Sequence, residues 1–224
     1  MQRHPPHSGL LKTPLAVIQN YAAMLQQANL PEPQRAEYAK TIMDASRRLS
    51  DLITNILKLN KLENQQIYPK KTVYNLGEQL CQCLLSFEDV WEGKDIELET
   101  DLAEEVLIES DAELLTLVWN NLISNALKFT PACGRVTVSL EGLKDFAVVR
   151  ITDTSCGIPP EVGEHIFEKF YQGDTSHDAQ GNGLGLALVK RVMDIVGGDI
   201  SVDSEVGTGS SVAVKIRRKG HETG

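Results

Sequence analysis

Two apolar stripes in the first third of the chain constrain its fold more than any other feature. Ile42, Ala45, Leu49, Leu52, Ile56 and Leu59 follow one another at alternating spacings of three and four, a sustained heptad seam. Ahead of it, Leu11, Leu15, Ile18, Ala22 and Leu25 repeat the same alternation, and "ANLPEP" interrupts the pattern between the two. Two helices joined by a short proline-containing turn make an antiparallel hairpin, which leaves a long apolar seam with too little to cover it. The seam closes either on the rest of its own chain or against a second copy as a four-helix bundle, and the bundle is the economical solution. Pro14 falls in the first turns of the leading helix, where a missing N–H is tolerated or produces a kink.

After "ENQQIYPKK" the periodicity changes. A helix is expected over Leu76–Trp91, strands over Ile96–Thr100 and Val106–Glu109, and a strong helix from a capping Asp111 to Phe129 with Leu114, Leu117, Val118, Leu122 and Ala126 on one face. "GRVTVSLEG" and "FAVVRITD" alternate like paired strands. A helix over Glu161–Phe170, a polar stretch "YQGDTSHDAQGNG", a helix from Leu184 to Val196 and terminal strands "DISVDSE" and "SSVAVKI" complete the pattern. The expected class is α+β: a helical hairpin over residues 11–67, then an α/β sandwich over 68–219. Residues 1–10 read as a leader or cloning remnant, and 220–224 as a tail.

A chain of 224 residues with a formal charge of −9 is a poor partner for nucleic acid or an anionic membrane surface, both of which are bound mainly through Lys and Arg. An anionic ligand must then be held by local dipoles and a few placed cations. Cys81, Cys83, Cys133 and Cys156 form no CxxC pair and have no companion His at metal spacing, so free thiols in a reducing compartment are expected rather than zinc. No apolar run approaches the roughly 20 residues that span a bilayer, and the chain is expected to be soluble and cytoplasmic.

Three segments carry candidate chemistry. In "WNNLISNALKFT", Asn121, Asn125 and Lys128 stand at i, i+4 and i+7 and share one helical face. Amide oxygens suit a hard cation such as Mg²⁺, and Lys meets phosphate as a point charge; an ordinary solvated face gives the same pattern. Twenty-eight positions after Asn125, "DTSCGIPP" ends a strand with Asp153 and turns at Gly157. A carboxylate there can accept an exocyclic amino group, and a glycine lets a planar base approach the backbone, although Asp and Gly are also common turn residues. "GNGLGLALVK" places Gly181, Gly183 and Gly185 at a helix entry, where free N–H groups favour phosphate and where a flexible loop is the ordinary alternative.

The ordered set "NNLISNALKF", "DTSCGIPP", "FEKFY", "GNGLGLALVK" and "GTGS" strongly resembles the N, G1, F, G2 and G3 boxes of sensor histidine kinases, and "LKTPLAVIQNY" resembles the dimerisation helix that begins with their H box. The resemblance runs from Leu11 to Ile216. It implies an ATP-binding Bergerat-type sandwich attached to a dimerising hairpin, with ATP and Mg²⁺ as cofactors, and a response-regulator receiver domain and a second copy as partners. Membrane attachment would come only through an upstream sensor segment. Asn125 would be the principal Mg²⁺ ligand with Asn121 beside it, and Lys128 a phosphate contact. Asp153 would read adenine, with Gly157, Ile158 and Phe129 about the base. Gly181, Gly183, Leu184, Gly185 and Thr208 would flank the nucleotide. Phe167 and Phe170 would anchor a lid over Tyr171–Gly181, a role compatible with plain core packing.

This chain departs from the family at the reacting group. The H box commonly reads S-H-E-L-K/R-T-P-L, and counting back from Lys12 puts Gly9 at the phosphoacceptor position and Leu10 at its acidic neighbour. Imidazole is the nucleophile in that reaction and the carboxylate can serve as its base, so both reacting groups are replaced. His7 lies two residues upstream, about 3 Å along a helix axis and turned by roughly 200°. Thr13 keeps the family's phosphatase-motif threonine, and it equally suits an ordinary first helical turn. Ser155 stands for the first glycine of the G1 box, which could restrict the turn, and Gln172 for a phosphate-facing Arg. Three readings stay open: a kinase core with an altered phosphoacceptor site, a degenerate kinase serving as a nucleotide-binding dimeric scaffold, and a gyrase, chaperone or mismatch-repair type of ATPase.

Overall fold

A computed structural model describes residues 7–27, 29–64, 67–171 and 183–219, with side chains from Leu11 onward. The chain divides into two compact units, Met1–Asn60 and Lys61–Gly224.

The first unit holds α1 (His7–Leu25) and most of α2 (Glu32–Asn64). Helix α1 starts four residues ahead of Leu11, and it continues through Pro14. Apolar periodicity marks the buried part of a helix and is silent about a solvated first turn, so the sequence pattern began late. Pro31 and Pro33 border the first turn of α2, where their missing N–H groups cost nothing, and Arg35 N donates to Pro31 O at 3.0 Å. Tyr21 and Tyr38 meet edge to face with ring centroids 5.2 Å apart, pairing the second half of α1 with the start of α2 as an antiparallel hairpin requires. One heptad position of α2 is buried at Ala45, Leu52 and Leu59, while Ile42, Leu49 and Ile56 at the other are only half-buried.

The second unit is built on a five-stranded sheet in the order β2-β4-β5-β7-β6. Its strands are β2 (Glu97–Leu102), β4 (Arg135–Gly142), β5 (Phe146–Asp153), β6 (Asp199–Glu205) and β7 (Gly209–Arg217). Only the β2/β4 pair is parallel. A two-stranded antiparallel sheet, β1 (Thr72–Asn75) with β3 (Leu107–Ser110), is bridged to the main one through Ile108 and Arg218. Alternation decides which face is covered: Val136, Val138 and Leu140 on β4 and Ala147, Val149 and Ile151 on β5 are buried, and the residues between them are not.

Helices α3 (Leu76–Leu85), α5 (Ala112–Phe129) and α7 (Gly185–Val196) supply the rest of the core, with Trp119, Leu80, Ile123 and Leu188 fully buried. The Trp119 indole donates to Gln79 Oε1 at 2.9 Å, and Gln79 Nε2 donates to Ala112 O and Thr116 Oγ1 at 2.7 and 3.0 Å, so this buried polar pair is satisfied. Asp111 caps α5 as expected: one carboxylate oxygen accepts from Leu114 N at 3.1 Å, and the other accepts from Lys70 N at 2.8 Å.

Two expected helices are shorter than the pattern suggested. The span Leu76–Trp91 is split into α3 and α4 (Glu88–Gly93), because the Ser86 hydroxyl donates to Cys83 O at 2.6 Å and ends the first helix. The span Glu161–Phe170 is helical only over α6 (Pro160–Gly163); beyond Gly163 it proceeds by turns to Phe170, whose φ is 63°. Gly197, with φ 72°, ends α7 in the left-handed conformation that a helix C-terminus favours. Among the described residues, no helix is long and apolar enough to cross a membrane.

Candidate functional site

The polar face of α5 is set by its own hydrogen bonds. Asn121 Nδ2 donates to Leu117 O at 2.7 Å, which commits the amide nitrogen and leaves the oxygen directed elsewhere. That oxygen abuts Gly185, the first residue of α7: a methyl group there would lie 2.9 Å from Asn121 Oδ1 and 3.9 Å from Asn125 Nδ2. Gly185 therefore lets the amino end of α7, with its outward N–H groups, sit directly on the two asparagines. Lys128, one turn further, has its ammonium 5.1 Å from the centre of the Phe129 ring. The last turn of α5 is fixed from outside by Lys94, whose ammonium donates to the carbonyls of Leu127, Lys128 and Thr130 at 2.8, 2.9 and 3.1 Å. A cation at a helix carboxyl end is favourably placed.

Asp153 closes β5 and is buried. Its Oδ1 accepts from the backbone N–H groups of Ser155 and Ser210 at 3.0 and 3.3 Å. The turn after it is locked to the β6–β7 turn. Ile158 N donates to Ser204 Oγ at 2.8 Å, Ser204 Oγ lies 3.0 Å from Gly209 O, and Gly207 N donates to Cys156 O at 2.8 Å. Gly157, with φ 72°, has no room for a side chain, since a methyl group would stand 2.1 Å from Glu205 O. Its glycine is thus required by the approach of another backbone. Ser155 does not take a left-handed φ, so serine restricts nothing at this position. Thr208 lies exposed in the β6–β7 turn and donates its N–H to Glu205 O.

The entrance to α7 meets the F-box segment. Phe170 N donates to Gly183 O at 2.8 Å, and Gly183 takes φ 64° against Phe170 and Tyr171, where a methyl group would come within 2.7 Å of backbone. The residues flanking the expected lid, Phe170 and Gly183, therefore meet, while Gly181, Gln172 and the lid residues between them lie outside the described residues. Leu184, at the α7 entrance, is fully buried, and Phe167 and Phe170 are half-buried. His165 Nδ1 lies 2.7 Å from Glu168 Oε1, and that carboxylate raises the imidazole pKa above its ordinary value. Burial pushes the Cys83 thiol up to about 11, which makes it an inert core group.

Gly9 and Leu10 lie within α1, as does Thr13, which is exposed; the side chains of His7 and Leu10 fall outside the described residues. Motif and spacing do not point to the contacts of Lys94, Ser155, Ser204 and Ser210. For Ser204 the signal was a polar residue on the inward register of Ile200 and Val202. For Lys94 there was none, because its partners are backbone carbonyls far along the chain.

Known proteins match this arrangement. The model of the His Kinase A (phospho-acceptor) domain covers residues 11–65, and that of the histidine kinase-, DNA gyrase B- and HSP90-like ATPase covers residues 110–220. The histidine protein kinase DivJ of Caulobacter vibrioides is 31% identical over 210 residues, 92% of this chain and 35% of that protein. A crystal structure of full-length ShkA in complex with AMPPNP superposes with a TM-score of 0.72 at 25% identity, over 95% of this chain and 45% of that one. The fold also matches histidine kinase ThkA, crystallised in complex with response regulator protein TrrA, with a TM-score of 0.79 at 21% identity over 96% of this chain and 60% of that one. The chain spans 28 to 51% of the length of the first curated relatives it matches. With both family models following one another in the expected order, the chain belongs to the sensor histidine kinases, carrying their dimerisation-type hairpin and their ATPase domain.

Proposed function

We propose that this chain is the cytoplasmic catalytic core of a two-component sensor kinase, with a dimerising hairpin over residues 11–67 and an ATP-binding domain over 68–219. The core works as a homodimer, binds Mg·ATP, and belongs to a machine that moves the γ-phosphate to a histidine and then to an aspartate of a response-regulator receiver domain. One observation carries the nucleotide reading. Gly185 brings the N-terminus of α7 onto Asn121 Oδ1 with the Asn125 amide beside it, so a hard amide oxygen and a helix N-terminus meet at one point. Phosphoryl transfer asks mainly for positioning and charge stabilisation, and this donor set supplies both.

Asn125 and Asn121 would hold Mg²⁺, which would neutralise phosphate charge there. Lys128 and the N–H groups around Gly183, Leu184 and Gly185 contact the phosphates, with Gly181 and Thr208 flanking them. Asp153 accepts the adenine amino group, and Ile158 and Phe129 border the base. Phe170 anchors the lid. The exposed Met43, Ile53 and Leu57 on α2 and Leu11, Leu15 and Met24 on α1 support a second copy as the cover of the hairpin. ThkA, whose complex with a response regulator shares the fold, supports the receiver domain as partner. Thr13 would orient a water in dephosphorylation of that partner.

With Gly9 at the phosphoacceptor position, this chain binds nucleotide and leaves itself unlabelled. Titration calorimetry with Mg·ATP tests the site: Asn125→Ala is expected to lose at least about tenfold in affinity, the scale of a lost ligand. Incubation with γ-labelled ATP tests the acceptor. The chain as it stands should carry no acid-labile, base-stable label, and the Gly9→His, Leu10→Glu double variant should acquire it. Unchanged binding in Asn125→Ala sinks the metal assignment, and label on the unaltered chain sinks the acceptor assignment.

A further inference from the structure

Asp153 and Ser155 leave two polar positions unspent at the exit of β5. Asp153 is 9% exposed and Ser155 is 7% exposed. Both backbone donors that reach the Asp153 carboxylate go to Oδ1, so among the described residues Oδ2 has no donor. Ser155 Oγ accepts from Gly157 N at 3.3 Å, and among the described residues its own O–H finds no acceptor. Neither is an accident of a loose turn. The Ser155 N–H is tied to Asp153, Gly157 is wedged against the Glu205 carbonyl, and Ser210 holds the carboxylate from the neighbouring strand. In residues this little exposed, a carboxylate oxygen and a hydroxyl hydrogen with no protein partner are positioned to meet water or a ligand.

The pair is complementary to one particular edge. An acceptor and a donor two residues apart match a base that offers a donor next to an acceptor, and the Watson–Crick edge of adenine does so through its exocyclic amino group and ring N1. Resting on the nucleotide reading above, we propose that the Ser155 hydroxyl donates to adenine N1 while Asp153 Oδ2 accepts from the amino group, which makes Ser155 a specificity-determining residue for the base. The serine that departs from the family glycine thereby has work of its own. A site built to hydrogen-bond a ligand atom rejects the analogue that lacks it, because its own buried group is then left unpaired.

The test pairs the residue with the atom. Binding of ATP and of 1-deaza-ATP, in which N1 is replaced by C–H, is measured on the full chain with Mg²⁺ present. The unaltered chain should prefer ATP by about 5- to 10-fold, the scale of one hydrogen bond. Ser155→Ala should lose that factor toward ATP and bind 1-deaza-ATP as before, and Ser155→Thr should keep the preference. Ser155→Gly, which restores the family residue and the freedom of the turn, should behave as Ser155→Ala and serves if alanine impairs folding. Equal binding of the two nucleotides by the unaltered chain overturns the proposal without any variant. So does an equal loss toward both in Ser155→Ala, which would mean that the hydroxyl only braces Gly157. A chain that binds neither nucleotide overturns the underlying nucleotide reading, a different failure from selective loss of the N1 contact.

Discussion

The hairpin and the α/β unit solve the problem of apolar burial in opposite ways. The α/β unit closes its core within one chain: Trp119, Leu80, Ile123, Leu188 and Met193 are fully buried beneath helices and a sheet. The hairpin leaves Leu57 64% and Met43 54% exposed, and buries only one of its two heptad positions. Two helices present one stripe each, which is enough to hold them together and too little to cover both sides of the seam. With a second copy proposed as its cover, the hairpin is expected to depend on concentration, and the α/β unit on its own packing. Heating should show a transition that shifts with chain concentration and a second that does not.

Trp119 is where the self-contained core of the α/β unit is most vulnerable. Trp119→Ala should destabilise the α/β unit by about 3–5 kcal/mol, since it opens a cavity and also strands the buried Gln79 amide. Urea unfolding followed at the sheet should show it, with the concentration-dependent transition unmoved. A loss below 1 kcal/mol would mean that the unit does not rest on this core. Leu57→Ala is the corresponding change in the hairpin, and it should cost about 1–2 kcal/mol of dimer stability for each copy, the value of burying such a side chain. Sedimentation would register a weaker dimer; an unchanged dissociation constant would place Leu57 outside the interface. Asp111→Ala comes next, at about 1–2 kcal/mol on the α/β transition alone, because it removes the α5 cap and the anchor of Lys70 N.

What the sequence made legible follows the same division. Local rules carried the hairpin, α5 with its Asp111 cap and the terminal strands, because periodicity and capping are encoded within a few residues. They failed at Ser86 and Gly163, where a single side chain or its absence ended a helix that the apolar pattern would have continued. At the candidate site, motif and spacing single out Asn121, Asn125, Asp153 and the glycines. They do not reveal how these residues join. That Gly185 seats α7 on Asn121, or that Ser204 ties the Ile158 turn to Gly209, are contacts between distant segments with no local signature. Lys94 is the extreme case, since it recognises three carbonyls and no side chain.

The smallest effect tests whether pH can separate the two regions. Residues 11–64 contain no histidine, whereas His165 in the α/β unit pairs with Glu168 and has its pKa raised above 6.5, first by the hydrogen bond to that carboxylate and then by its charge. A raised folded-state pKa means that the folded protein holds the proton more tightly than the unfolded chain. The contribution is therefore fully present below 6.5 and fades as pH climbs through the higher folded value. The pair is exposed and solvent-screened, so the shift should appear in a titration more readily than in a melting curve. Following the His165 ring by NMR should give a midpoint above 6.5, and Glu168→Gln should bring it back down. If the midpoint ignores that substitution, the carboxylate is not its cause. If instead the concentration-dependent transition moves over this pH window, either His7 in the first turn of α1 titrates there or the two regions are not independent.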